Sequence, residues 1–238
     1  MSDAAELRQL YQELLQRLER NEREFRRLGR AVWRVQEDER RRIARELHDG
    51  VGQNLTVLKH RLHELDAALT PQHQTLRDTV AAALSLCGDT LEDTRELSRM
   101  LRPPILDDLG LEAALRWLVR SQGQISGARI ELDIDPLPEL DGELQTLLFR
   151  VTQEALTNAA KHAAARHVQV RLRHQDAALR LDIQDDGRGC DPELALRSGG
   201  NGLGGMRERL RLYSGQLRLR SAVGAGMRIS ARIPLQYA

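Results

Sequence analysis

His48 is followed directly by Asp49 and, five residues on, by Gln53. A neutral imidazole, with a pKa near ~6.5, is nucleophilic at cellular pH without much tuning. A carboxylate that accepts the Nδ1 proton fixes the tautomer whose Nε2 is free to attack phosphorus. A carboxamide takes no proton but can orient a water. Together these three side chains are equipped to put a phosphoryl group on a histidine and to take it off again. A lone exposed histidine on a helix is ordinarily decoration. The neighbouring acid and amide, and the motifs further along the chain, reverse that balance.

Three more constellations follow. Glu154, Asn158, Lys161 and His162 recur at i, i+4, i+7 and i+8, so they share one helix face. A carboxylate and a carboxamide one turn apart suit Mg²⁺, which takes few protein oxygens and keeps water and phosphate as its other ligands. Lys161 and His162 are placed to meet phosphate oxygens. Asp185-Asp186-Gly187-Arg188-Gly189 closes a strand. Asp185 can accept a hydrogen bond from an exocyclic amine such as that of adenine, and the two glycines let backbone approach a flat ligand. Gly199-Gly200-Asn201-Gly202-Leu203-Gly204-Gly205 opens onto a helix, where free N–H groups attract phosphate. Gly200, Gly202 and Gly205 formally satisfy GxGxxG, but no strand leads into them and no acid occurs after Glu208 to bind a ribose, so a dinucleotide fold is excluded. A P-loop is excluded too, because neither lysine follows a glycine.

The elements that must position these groups are legible in the periodicity. Leu7, Tyr11, Leu14, Leu18, Asn21, Phe25, Leu28, Val32 and Val35 alternate spacings of four and three, a coiled-coil seam that requires a partner helix. Gly29 is the one glycine in this stretch. The stripe then passes through Ile43, Leu47, Val51 and Leu55 in steps of four, a stutter that coincides with His48, before resuming at Leu58, Leu62, Leu65 and Leu69. We expect a signal to travel along the stem as a change of register or rotation at this stutter. Thr70-Pro71 ends the helix, and Leu76, Val80, Leu84, Cys87, Leu91, Thr94, Leu97 and Leu101 mark a second one closed by Arg102-Pro103-Pro104. Two such hairpins make a four-helix bundle. A hinge and a short helix over 111–119 come next, and then the texture becomes α/β: strands over 128–135, 167–174 and 178–184, a helix over 142–164, a glycine-rich loop over 187–205, a short helix over 206–213, and a closing hairpin over 216–223 and 227–234.

Composition narrows the class further. The chain has 238 residues, a net charge of +1 and 30% charged residues, which gives no global case for nucleic-acid binding. No apolar run approaches the ~18 residues of a membrane span, and the polar N-terminus has no signal-peptide character. Cys87 and Cys190 fall in different modules and suggest no disulfide. A cytoplasmic setting is expected.

All four constellations, in this order, resemble a two-component sensor histidine kinase. Ala44 to Gln53 looks like the dimerisation and phosphoacceptor segment of the nitrate-sensor-like and DesK-like subfamily, and the last ~115 residues look like the GHKL-type ATPase shared with gyrase and Hsp90. The resemblance implies a multidomain chain: a coiled-coil stem over 1–35, an all-α dimeric hairpin over 36–104, a hinge over 105–124, and an α/β two-layer ATP-binding sandwich over 125–238. It implies ATP and Mg²⁺ as cofactors and a homodimer that passes phosphoryl groups to a response regulator, one with a helix-turn-helix output domain. His48 would be the phosphoacceptor, Asp49 its base, and Gln53 the phosphatase residue. Asn158 with Glu154 would ligate Mg²⁺; Lys161 and His162 would face the nucleotide; Asp185 would bind the adenine amine between Gly187 and Gly189; Gly200, Gly202 and Gly204 would belong to a lid. One departure stands out. Where such chains place a threonine after Gly-x-Gly to support the adenine-binding acid, this one has Met227, whose thioether donates no hydrogen bond. Three rival readings remain: a serine kinase of the same ATPase class, a dimeric scaffold with a degenerate nucleotide site, and a phosphatase-dominated member, since Gln53 permits both directions.

Overall fold

The computed structural model describes residues 2–191 and 202–235, except the side chains of residues 2–8 and 71. Contacts divide the chain into two units, Val35–Asp107 and a unit that joins Met1–Arg34 to Asp108–Ala238.

The helical unit begins on the last part of α1 (Ser2–Arg45), which runs without interruption into a π-helical turn over Glu46–Gly52 and then α2 (Gln53–Ala68). The π turn occupies the run of fours read as a stutter, which is the local winding that such spacing demands. Leu69 and Thr70 turn extended before Pro71, as proline requires of its predecessors, and a single 3₁₀ turn leads into α3 (Gln74–Leu101). α3 returns antiparallel: Ser98 Oγ donates to the Ala44 carbonyl at 2.8 Å, while Cys87 Sγ donates to the Leu55 carbonyl at 3.3 Å. Ala44, Val80, Cys87, Leu91, Thr94 and Ser98 are buried between the helices. Val51, Leu58, Leu65, Leu76, Leu86 and Leu97 are not, each being more than two-fifths exposed. A hairpin buries one side of an apolar stripe, and this one retains a second.

The corner read as a hinge is tied down. Arg102 is only 7% exposed, and its guanidinium meets Asp107 at 2.7 Å and Glu37 at 3.7 Å. Arg41 adds a second contact to Asp107 at 2.7 Å. These pairs fasten α4 (Pro104–Asp108) to α1 through Asp107.

In the other unit α5 (Gly110–Ser126) is longer than the short helix expected over 111–119. Its last turns, Arg120-Ser121-Gln122-Gly123-Gln124, have little apolar signal. Gln122 is nevertheless buried, and Gly127 at φ +70° closes the helix by donating to the Gly123 carbonyl, a left-handed cap. The sheet runs in the order β1-β2-β3-β5-β4, with β1 (Arg129–Ile134) parallel to β2 (His167–Gln175). β3 (Ala178–Asp185), β4 (Gln216–Ser221) and β5 (Met227–Pro234) pair antiparallel. α6 (Gly142–Asn158) starts at Asp141, whose carboxylate accepts from Leu144 N at 2.7 Å. α6 packs on α5, on β3 and on α7 (Leu203–Leu212). Leu147, Leu148, Phe149, Leu172, Leu179, Leu181, Met206, Leu210 and Ile233 form the interior, each under 2% exposed. The result is two layers, helices on one face of a mixed sheet, with alternate strand residues such as Arg180, Arg218 and Arg232 on the open face.

Candidate active site

Two chemistry-bearing places lie on separate units. The first is the π turn of the helical unit. His48 and Asp49 are both exposed, and no hydrogen bond joins them. Consecutive helix residues diverge by about 100°, so this is the geometry expected of a histidine and acid before any reactant arrives. Gln53 lies one turn beyond His48, and the two share an open cleft with Gly52, Thr56, Val57, Thr94 and Arg95. The amide and the imidazole thus face one volume, while Asp49 stands outside it.

The second place is a cavity of about 580 Å³ in the α/β unit. Glu154, Asn158, Lys161, His162, Asp185, Gly189 and Gly202 all line it. α6 delivers Glu154 and Asn158, and Asn158 Nδ2 donates to Glu154 Oε1 at 3.3 Å. That bond turns the Asn158 amide oxygen away from Glu154. The donor set is then one carboxylate and one carboxamide oxygen, which fits Mg²⁺. Gly202 crosses directly above, where a Cβ would come within 2.7 Å of Glu154 Oε1. The helix next widens into a second π turn, Ala159–Ala163, which carries Lys161 and His162 into solvent at the mouth of the cavity.

Asp185 ends β3 at the other wall. Its carboxylate accepts from Gly187 N at 2.9 Å, and the backbone N–H of Met227, its partner in the β3–β5 register, favours the ionised form. Burial pushes the Asp185 carboxyl up from its ordinary value, the two amides opposing and Asp186 adding to the rise. Met227 stands where a threonine was expected and joins Ile183 and Ile229 in lining the cavity. Asp186 does different work. It accepts from the backbone N–H groups of His167 and Arg166 at 2.9 and 2.8 Å, and its carboxyl is held down at about 2 by them and by the His167 ring. It clamps the loop that follows Lys161 and His162. Gly189, at φ +61°, packs so tightly that a Cβ would overlap the Ala222 carbonyl.

Gly187 and Gly204 do not line the cavity. Gly187 instead abuts Ala163, where a Cβ would overlap that carbonyl, and Gly204 lies in the first turn of α7. Gly200 lies outside the described residues. Sequence reasoning missed Thr157, Arg188 and the apolar wall. The wall was available from the alternation of β3 and β5, which points Ile183, Met227 and Ile229 to one side. Arg188 carried no signal beyond its place between two glycines.

The comparisons with known proteins agree with this layout. Residues 39–106 match the family described as histidine kinase, and residues 143–237 match the histidine kinase-, DNA gyrase B- and HSP90-like ATPase family. The sensor histidine kinase MctS of Rhizobium johnstonii is 34% identical over 210 residues, which are 87% of this chain and 45% of that protein. The chain thus spans about half the length of this relative. The histidine kinase domain of the blue-light activated histidine kinase EL346 of Erythrobacter litoralis has the same fold, with a TM-score of 0.51 at 23% identity over 77% of this chain and 94% of that one. Among the described residues no helix is long and apolar enough to cross a membrane.

Proposed function

Since this chain belongs to the sensor histidine kinases of two-component signalling, we propose that it phosphorylates itself on His48 with ATP and passes the phosphoryl group to an aspartate of a response regulator. The observation that carries the reading is the convergence of Glu154, Asn158, Lys161, His162, Asp185, Gly189 and Gly202 on one cavity, in a chain whose other unit exposes His48. The Asp185 carboxylate accepts the adenine amine, and Ile183, Met227 and Ile229 contact the ring. Lys161 and His162 meet the phosphates. Asn158, helped by Glu154, would hold Mg²⁺, whose charge neutralises phosphate oxygens when it is bound.

His48 Nε2 attacks the γ-phosphorus, forming a P–N bond as the bond to the β,γ-bridging oxygen breaks and ADP leaves with the electron pair. The imidazole Nδ1 proton passes to Asp49. Positioning and charge neutralisation supply most of the acceleration. Gln53, facing the same cleft as His48, orients the water that hydrolyses the regulator's aspartyl phosphate, so the chain is also a phosphatase. The exposed apolar sides of α2 and α3, with the seam residues Phe25, Leu28, Val32 and Val35 at 60–68% exposure, support a homodimer. Met227 lining the cavity beside Ile183 and Ile229 supports a working nucleotide site over a degenerate scaffold.

The test is transfer of label from γ-labelled Mg-ATP to the purified chain, beside His48→Gln. Acid-labile, base-stable label that is absent from the variant is expected. Label retained in the variant would move the acceptor elsewhere and sink the assignment.

A further inference from the structure

The stem carries, beside its coiled-coil seam, a second face that the seam does not explain. Arg26, Gly29 and Trp33 lie one residue beyond the seam positions Phe25, Leu28 and Val32, and Arg30 and Arg34 lie two beyond Leu28 and Val32, so the five share a neighbouring helix face. The seam residues are exposed, yet Trp33 is only 6% exposed. It lies edge-on to Tyr213, with ring centroids 5.7 Å apart and planes at 81°. The Arg30 guanidinium sits 4.6 Å from the centroid of the same ring, and its Nε donates to the Leu212 carbonyl at 2.7 Å, capping the C-terminal end of α7. Arg26 donates to Ser214 Oγ at 2.7 Å. The Tyr213 hydroxyl donates to Glu143 Oε2 at 2.7 Å, and Glu143 also accepts from Arg34 Nε at 2.8 Å. Gly29 is the notch. A Cβ there would overlap Leu212 Cδ2. A mid-helix glycine costs about 1 kcal/mol relative to alanine, so the single glycine of the stem is a sacrifice of helix stability for close approach.

These contacts fall at the far ends of the two helices that build the cavity. Glu143 is in the first turn of α6, whose last turns bear Glu154 and Asn158. Leu212 ends α7, which begins at Leu203 beside Gly202 in the cavity wall. We propose that residues 26–34 of the stem are an intramolecular docking site for this α6–α7 corner, and that docking is thermodynamically linked to nucleotide occupancy. Clamping the outer ends of both helices orders the residues at their inner ends before the ligand arrives, so the docked form binds nucleotide more tightly. By reciprocity, nucleotide strengthens docking by the same factor. A change in the stem thus reaches the nucleotide cavity directly. The linkage, though not the docking, rests on the ATP-site reading above.

The test uses the full chain with Trp117→Phe, which leaves Trp33 as the sole tryptophan, with and without Gly29→Arg. That second change raises helix propensity and touches nothing in the cavity. Acrylamide quenching of Trp33 should rise several-fold in the Gly29→Arg chain, and its affinity for Mg-ADP should fall about fivefold, at the low end of typical couplings. Tyr213→Phe, which keeps the ring and loses the bond to Glu143, should move both readouts in the same direction by less. Equal quenching with and without Gly29→Arg overturns the docking site. Altered quenching with nucleotide affinity unchanged within twofold overturns the linkage. A parent chain that binds no Mg-ADP overturns the ATP-site reading and with it the linkage, while docking is still decided by the quenching.

Discussion

Replacing Asp185 with asparagine should separate ligand binding from folding. Burial disfavours the ionised carboxyl, and the amides of Gly187 and Met227 only partly offset this, so the folded-state pKa lies above its ordinary value. An acid shifted up in the folded state contributes stability at low pH that is lost as pH rises past the unfolded value and through the folded one. At pH 7 the ionised Asp185 is therefore a net cost to the empty fold, and asparagine removes it. Binding goes the other way. Gly187 N claims one oxygen of the group. An asparagine that keeps that bond turns its NH₂ toward the adenine amine, donor against donor. A hydrogen bond to a charged acceptor contributes about 1.5–3 kcal/mol, or roughly 10- to 150-fold in Kd. Calorimetric titration with Mg-ADP and thermal unfolding in one buffer read both quantities. The expected result is weaker binding by at least tenfold with a melting temperature equal to or above that of the parent. Affinity within twofold of the parent, or a melting temperature several degrees lower, would refute the reasoning.

Other expectations follow from neighbouring contacts. Gly189→Ala combines a left-handed backbone with overlap on the Ala222 carbonyl and should reduce nucleotide affinity at least tenfold, measured by the same titration. Asp186, with a folded-state pKa of about 2, contributes stability that is full above the unfolded value near ~3.9 and disappears as pH falls through 2. Asp186→Asn should accordingly flatten the stability–pH curve between those limits, as followed by urea midpoints at successive pH values. On the proposed reading, Gln53→Ala should leave histidine labelling within about twofold of the parent while slowing dephosphorylation of the regulator at least tenfold, since the amide would orient the hydrolytic water and take no part in the attack by His48.

Long elements with strong periodicity were legible in the sequence. α2, α3 and all five strands lie close to where the alternation and the prolines placed them, because a buried face imposes its period on the chain. The end of α5 was not legible, since Gln122 is held by tertiary contact rather than by any local pattern. That Glu154 and Asn158 line one cavity was legible in the sequence, because a helix puts i and i+4 together whatever surrounds it. The pairing of Asp185 with the backbone of Met227 was not. A backbone N–H is common to every residue but proline, so no side chain announces which one a cross-strand register will place against a carboxylate. Trp33 escaped notice for a related reason: it breaks the apolar stripe by one position, and its partner Tyr213 is 180 residues away.

The wide turn at Glu46–Gly52 can be regarded as a dislocation in an otherwise regular lattice of hydrogen bonds. A dislocation holds one more residue than the perfect helix on either side of it, and it moves by exchanging single bonds at its edges while both flanks stay wound. Each residue of travel would turn the segment it passes through by roughly 100° about the helix axis. His48 sits inside this defect, so a displacement of one residue is enough to swing the imidazole out of the cleft it shares with Gln53. A change in which way the imidazole faces then requires neither unfolding nor a long stroke. It requires only that the defect have two resting places.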